Sequence, residues 1–213
     1  MRIKKVGKRS TVFTYDLKDW NLNLHLIEGD RYNYIIDTGL GSGSVMPVTQ
    51  MIKDSAKPVV VINTHYHWDH VWGNWVFADS VIVSHRLCRQ ITASKWDEMI
   101  EKNARYIDGE AKLMLPNVTF DRELYFEEDC IRLVFTPGHT VDGISVLDEK
   151  DGILNAGDNI GDTPEDIVPS LECPKQEYIN TLEIYKGMDF EYCVSGHNEV
   201  MGSDVIERIL VSL

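Results

Sequence analysis

The segment that most constrains the fold is residues 59–77, which read VVVINTHYHWDHVWGNWVF. Its first four residues are β-branched and predict a short buried strand, because such side chains pack well on a pleated surface. Directly after that strand come three histidines and an aspartate, namely His65, His67, Asp69 and His70. Burying so many polar groups together costs free energy, and a metal ion is the partner that compensates them best. The segment therefore predicts a metal site at the end of a buried strand.

The spacing of these residues divides them between two cations. In an extended segment, residues i and i+2 point the same way, so His65 and His67 can share one cation. A tight turn or a helix that starts after Trp68 would direct Asp69 and His70 elsewhere, towards a second cation. A histidine-rich surface turn is the alternative interpretation of this segment taken alone, since short motifs also occur by chance.

The sequence THYHWDH at residues 64–70 resembles the His-x-His-x-Asp-His signature of the metallo-β-lactamase fold superfamily. The resemblance implies further ligands downstream in a fixed order, and the chain offers a match for each. His139 in Pro-Gly-His-Thr matches the third ligand of a first metal, and Asp158 in Ala-Gly-Asp matches a carboxylate that bridges both metals. His197 in Ser-Gly-His matches the last ligand of a second metal.

The resemblance thus implies ligands for two divalent metal ions, with Zn²⁺ expected and iron or manganese as alternatives that the same donors accept. The implied first site is His65, His67 and His139, the second is Asp69, His70 and His197, and both share Asp158. Asp37 ends a strand before a glycine turn. The resemblance also implies that this residue contacts the metal ligands and supports them without binding the metal itself. An ordinary capping or turn aspartate is the alternative for Asp37.

Such a ligand set implies a hydrolase that uses a hydroxide bridging two metals, because coordination lowers the pKa of water towards about 7. Asp69 is the implied catalytic residue, orienting the hydroxide or shuttling its proton. The implied substrate is a small ester, thioester, lactone or β-lactam-like compound. An iron-containing oxidoreductase and a phosphodiesterase of the same fold are the alternatives. The acidic residues Asp162, Glu165 and Asp166 argue against a highly anionic substrate if they face the site.

Departures from known subgroups narrow the resemblance. The ligand set is similar to that of glyoxalase II, but only residues 198–213 follow His197, so the helical domain with which that enzyme holds glutathione is not expected. Asp158 stands where several lactamases carry cysteine, and His67 stands where flavodiiron oxygen reductases carry glutamate. The motifs are therefore specific for the fold and the metal site and not for the substrate.

Around these motifs, runs of apolar residues alternate between strand and helix periodicity and predict an α/β fold. The resemblance implies a four-layer αβ/βα sandwich, with two mixed sheets facing each other and helices on the outer faces. We expect a single domain over residues 1–213. Residues 86–115 have apolar side chains at helical spacing and predict a helical insert, which would act either as a lid or as packing. His25 stands alone in a strand and is expected to be an ordinary core or surface histidine.

Composition limits the partners. The net charge of −13 repels the phosphate backbone, so no nucleic-acid partner is expected. No apolar run approaches the roughly 18 residues of a membrane span, so no membrane partner is expected. Four scattered cysteines and a start without the apolar core of a signal peptide predict reduced thiols and a cytoplasmic location. The expected partner is a small-molecule substrate, and the sequence does not determine the oligomeric state.

Overall fold

The computed structural model describes residues 1–213 as two mixed β-sheets with helices on their outer faces. The first sheet has seven strands in chain order, β1 to β7, at Arg2–Val6, Ser10–Asp16, Asn21–Glu28, Asn33–Ile36, Val59–Ile62, Val81–His85 and Val118–Phe120. The second sheet has six, β8 to β13, at Glu123–Phe126, Ile131–Phe135, Ile144–Asp148, Ile153–Asn155, Tyr192–Val194 and Met201–Gly202, and its spatial order runs from β13 to β8. The helices α1 to α5 are Ser42–Met51, Trp68–Val71, Arg86–Asn103, Lys175–Lys186 and Val205–Ser212.

Alternation along the strands produces the layers. In β4, Tyr34 and Ile36 point into the space between the sheets, whereas Ile35 points to the opposite face and packs against Val45 and Val48 of α1. The apolar layer between the sheets consists of Ile27, Tyr34, Ile36, Val60, Ile62, Val83 and Phe120 from the first sheet and Ile131, Leu133, Ile144 and Val146 from the second. The outer face of the second sheet packs against α4 and α5. The predicted four-layer α/β sandwich is therefore confirmed.

Strand direction determines where the polar loops meet. In the first sheet, β4 and β5 are parallel neighbours, so the loops that follow them leave from the same edge. In the second sheet, β11 and β12 are parallel neighbours. Two antiparallel pairings, of β9 with β10 and of β10 with β11, give β9 the same direction as β11. The loops after these five strands are the ones that carry the predicted ligands and Asp37.

Two elements differ from the sequence-based prediction. Strand β1 was not predicted, because its sequence RIKKV is exposed at four of five positions and lacks apolar alternation. It is an edge strand, where charged side chains are common because they discourage further pairing. Residues 86–115 are helical only as far as Asn103, followed by a short 3₁₀ turn at Ala104–Tyr106.

The chain beyond this turn leaves the helical path because its backbone pairs with the first residues of α1. The amide of Ser42 donates to the carbonyl of Glu110 at 2.9 Å, and the amide of Gly43 donates to the carbonyl of Asp108 at 2.9 Å. Gly109, at φ +76, takes the left-handed conformation that this close approach requires. The predicted helical insert is therefore one helix followed by an irregular segment packed on the first sheet.

No helix combines the length and the apolar character that a bilayer crossing needs. All four cysteines are free thiols, and three of them are buried.

Candidate metal centre

The predicted ligands meet at the edge where the loops of the two sheets converge. His65 and His67 follow β5, while Asp69 and His70 lie on the short helix α2. The ligand atoms form two groups, each with its atoms within 4.8 Å of one another, and these are His65, His67, His139 and Asp158 in one and Asp69, His70 and His197 in the other. The spacing of the motif predicts the separation of His65 and His67 from Asp69 and His70, and the resemblance implies the placement of His139 and His197.

Asp158 lies between the two groups. Its Oδ2 atom is 3.5 Å from Nε2 of His65 and 3.7 Å from Nε2 of His139 in the first group. The same oxygen is 3.3 Å from Nε2 of His70 and 3.1 Å from Nε2 of His197 in the second. One carboxylate thus faces imidazoles of both groups, as a bridging ligand must.

This close approach depends on Gly196. A Cβ atom at residue 196 would lie 2.0 Å from Oδ1 of Asp158 and 2.8 Å from the ring of His70. Only glycine lets the loop after β12 come this near to the centre.

Hydrogen bonds from backbone carbonyls, on the far side of the rings, orient two of the histidines. Nδ1 of His139 is 2.8 Å from the carbonyl oxygen of Ser170, and Nδ1 of His197 is 2.7 Å from that of Asn21. Because a carbonyl only accepts, each Nδ1 carries the proton, and in the neutral ring Nε2 is left as a lone pair facing the centre. This is the tautomer that a metal-binding imidazole needs.

Asp37 supports the second group and the strand-end loop together. Its Oδ2 atom is 2.8 Å from Nδ1 of His70 and accepts the hydroxyl of Thr64 at 2.7 Å, while Oδ1 accepts the amide of Thr64 at 2.8 Å. The backbone of Asp37 is at φ +60, which is uncommon outside glycine and is found where a functional constraint holds the chain. This carboxylate therefore lies where it can orient the His70 ring, and the supporting role that the resemblance implies for it stays a prediction.

The chemistry of the donors fits divalent cations. Nε2 of His65, Nε2 of His70 and Oδ1 of Asp158 are buried and have no hydrogen-bond partner in the protein. Leaving several such groups unsatisfied costs about 1–3 kcal/mol each, so a ligand that satisfies all of them is expected. Imidazole nitrogens and carboxylate oxygens are shared by zinc, iron and manganese sites, so the donor set fits a metal without naming it.

The electrostatics of the two groups differ. Burial lowers the pKa of His65 well below its usual range, and burial with the neighbouring His139 lowers the pKa of His67 to about 3. Burial also opposes a charge on His197, but the carboxylate of Asp158 outweighs it and raises the pKa of His197 to about 9. Metal binding therefore competes with a proton at His197 and is expected to release it, whereas His65 and His67 are already neutral.

A cleft of about 770 Å³ opens over the centre. One wall is the loop between β2 and β3, where Trp20 lies edge-on to His197 with ring centroids 5.3 Å apart and to Trp68 at 5.9 Å. The opposite wall is the loop 161–170 after Asp158, with Asp162 and Asp166 exposed in the cleft. Trp20 was not singled out from the sequence, because the strand pattern around it gives no sign that the hairpin folds over the centre.

Glu165, the 86–115 segment and His25 lie outside the cleft. Glu165 lines a different surface depression, so two of the three acidic residues after the bridge face the candidate site. No residue of 86–115 lines the cleft, but Tyr106 stacks on Trp68 with ring centroids 5.1 Å apart. His25 is fully buried against Asn155, and its burial lowers its pKa to about 3, which agrees with a core histidine.

Two facing mixed sheets whose loops bring histidines and a shared carboxylate to one edge define an αββα protein with a candidate dinuclear centre. The sequence profile described as the metallo-beta-lactamase superfamily matches residues 18–197. This chain belongs to that superfamily, whose members typically bind metals and are mostly hydrolases.

Solved structures agree on the fold. A metallo-beta-lactamase from Hirschia baltica superposes with a TM-score of 0.76 at 16% identity, covering 99% of this chain and 96% of that one. A metallo-beta-lactamase from Pontibacter korlensis superposes with a TM-score of 0.73 at 16% identity, covering 100% of this chain and 99% of that one. At such low identity the likeness extends to the fold alone.

Curated relatives are distant and longer. Lactamase-like protein adaB of Aspergillus niger is 26% identical over 140 residues, which are 65% of this chain and 38% of that protein. Beta-lactamase-like protein 2 homolog of Caenorhabditis elegans is 24% identical over 149 residues, which are 70% of this chain and 45% of that protein. This chain therefore spans less than half the length of these relatives.

Proposed function

We propose that this protein is a dinuclear metal-dependent hydrolase of a small ester, thioester, lactone or β-lactam-like substrate. The observation that carries the proposal is the central position of Asp158, whose single Oδ2 atom lies 3.1–3.7 Å from four imidazole nitrogens of both groups. A carboxylate surrounded in this way is suited to bridging two cations. Membership of a superfamily composed mostly of hydrolases supports the same proposal.

The residues around the centre would have distinct roles in hydrolysis. Two divalent cations, when bound by these residues, would lower the pKa of a water molecule towards about 7 and polarise a substrate carbonyl. Asp69 lines the cleft, and burial raises the pKa of its carboxyl group. It would orient the attacking water and accept its proton, the role of a general base. Trp20 and Trp68 would cover one side of the substrate and exclude bulk water from it.

The charge of the cleft bears on the substrate class. Asp162 and Asp166 line the cleft and form no ion pair. Lys18 is the only lysine among the lining residues, and no arginine lines the cleft. A phosphodiester brings a negative charge, so an approach past these carboxylates would be less favourable than that of a neutral acyl substrate. We therefore place the neutral acyl compounds ahead of the phosphodiesterase and oxidoreductase alternatives, with zinc as the proposed metal.

The test is a panel of matched substrates assayed with metal-stripped and reloaded protein. We expect hydrolysis of at least one ester, thioester, lactone or β-lactam, lost on stripping and restored by zinc. Phosphodiesters should be turned over more slowly than the best acyl substrate. Hydrolysis of phosphodiesters alone would support the phosphodiesterase, and reloaded protein that hydrolyses nothing on the panel would contradict the proposal.

A further inference from the structure

His67 differs from the other histidines of the centre in what lies behind its ring. Its Nδ1 atom faces the centre, 3.2 Å from Nε2 of His139, so its outer nitrogen is Nε2. Whereas the outer nitrogens of the other four rings have a polar atom within 2.7–3.0 Å, that of His67 has the carboxylate of Glu172 at 3.7 Å. This separation is too long for a hydrogen bond, so the negative charge of Glu172 acts on the polar outer edge of the His67 ring through space.

Glu172 is held in this position by two side chains outside the cleft. The hydroxyl of Tyr66 donates to Oε1 of Glu172 at 2.6 Å, and this is the oxygen that faces His67. The ammonium group of Lys95, on α3, donates to the Tyr66 hydroxyl at 3.2 Å and lies 4.7 Å from the centre of its ring. The carboxylate therefore does not swing freely, although Glu172 itself is exposed.

The backbone around Glu172 is fastened to the same half of the centre. The amide of Glu172 donates to the carbonyl of His139 at 2.9 Å. Two residues earlier, the carbonyl of Ser170 accepts the Nδ1 proton of His139 at 2.8 Å. One short segment, residues 170–172, thus contacts both of the more exposed ligands of the first group, His67 and His139.

We propose that Glu172 is a positioning residue that sets the metal affinity of the first group through His67, and that Tyr66 and Lys95 hold it there. Glu172 does not line the cleft, so it acts on the ligand and not on the substrate. A carboxylate beside the outer N–H of a metal-bound imidazole fixes the ring orientation and makes the ring a stronger ligand. The inference rests on the proposed metal centre, and it adds a contact from α3 to that centre.

The discriminating substitution is Glu172→Gln. Glutamine preserves the size of the side chain and can still accept the Tyr66 hydroxyl, so only the charge beside His67 is lost. Groups that support metal ligands typically contribute about 10–100-fold to affinity, and the 3.7 Å separation places this one at the lower end. We expect zinc binding at the first group to weaken about tenfold and binding at the second to stay within twofold. Tyr66→Phe should weaken the first group less, since the charge remains while its anchor is lost.

The matched control is Glu165→Gln, which removes the same charge from an exposed glutamate in a different surface depression. The measurement is competition for zinc against a chromogenic chelator, which resolves two binding constants. Repeating it in a His197→Ala background removes a ligand of the second group and isolates the first. Urea unfolding of the metal-free forms serves as the structural readout and should be the same for the parent and Glu172→Gln.

Each outcome separates this inference from the proposed function. A tenfold loss at the first group in Glu172→Gln and none in Glu165→Gln supports the inference. If the parent binds two zinc ions and Glu172→Gln binds each of them as tightly as the parent does, the inference is overturned and the proposed function is left intact. An equal loss in Glu165→Gln also overturns it, since the effect would then be one of net charge. A parent that binds no metal refutes the proposed function and the inference with it.

Discussion

Replacement of Asp37 by asparagine isolates the support of the second metal group. The carboxylate is 2% exposed and receives three hydrogen bonds, two from Thr64 and one from His70. Asparagine has the same size and tolerates positive φ better than most residues, so the backbone at φ +60 should persist. The Oδ1 contact to the amide of Thr64 can also persist, so the perturbation is confined to Oδ2, which faces His70 and the hydroxyl of Thr64. The Thr64 hydroxyl can rotate and accept from the new NH₂ group, so the contact with His70 is the one that changes in kind.

The magnitude follows from the chemistry of that atom. In Asp37→Asn an NH₂ group can replace Oδ2, and it donates where the carboxylate accepted. It therefore favours the tautomer of His70 with Nδ1 unprotonated and the proton on Nε2, the nitrogen that faces Asp158 at 3.3 Å. A hydrogen bond to a charged group contributes about 1.5–3 kcal/mol. Loss of about 2 kcal/mol corresponds to roughly 30-fold weaker metal binding, within the 10–100-fold typical of such partners.

The assay is zinc competition on the Asp37→Asn protein, with unfolding of the metal-free form measured separately. The matched control is Asp129→Asn, because Asp129 is an equally buried carboxylate that accepts the amides of residues 30–32 and the hydroxyl of Tyr34. The control should lose folding stability and keep metal affinity. Asp37→Asn protein that binds both zinc ions as tightly as the parent would refute the role given to Asp37.

Three further predictions concern catalysis, specificity and pH. Asp69→Asn should lower kcat on the best substrate by about 10²–10⁴-fold while the first group keeps its metal, and an unchanged kcat would favour a binding or redox role. Tyr106→Ala should alter the relative kcat/KM values across the substrate panel and leave the metal content unchanged, because Tyr106 packs against Trp20 and Trp68. Unchanged kcat/KM ratios would mean that Tyr106 contributes to packing alone. Burial lowers the folded-state pKa of His25 to about 3, below its unfolded value. The contribution of the buried neutral ring to the free energy of unfolding is therefore fully present above about pH 6.5 and is lost as the pH falls towards the folded-state pKa. Between pH 7.5 and 4.5 the parent should lose about 3 kcal/mol more unfolding free energy than His25→Gln in urea titrations, and equal losses would contradict the burial argument.

The ligands could be found from the sequence because the information about them is local. His65 to His70 lie within one turn-forming segment, and His139, Asp158 and His197 each sit in a short loop after a strand. The resemblance of these short motifs to a known family implied that they converge, and the common direction of the strands that precede them explains how they do so.

The supporting residues could not be found in this way, because their role depends on contacts between distant parts of the chain. The carbonyl of Asn21 reaches Nδ1 of His197 from a hairpin 176 residues away in sequence. Glu172 meets Tyr66 across 106 residues, and neither position carries a pattern that marks it. The end of α3 is a similar case, because the pairing of residues 108–110 with the start of α1 overrides the helical periodicity.

The most direct test of the dinuclear centre is the metal content of protein purified without chelator, measured by elemental analysis against an accurate protein concentration. Two ions per chain are expected, because the seven donors form two groups and Asp158, a member of the first, also faces the imidazoles of the second. Asp158→Ala should retain fewer than one, since the shared carboxylate contributes to both groups. A reproducible value near one in the parent, with no increase on added zinc, iron or manganese, would contradict the dinuclear centre.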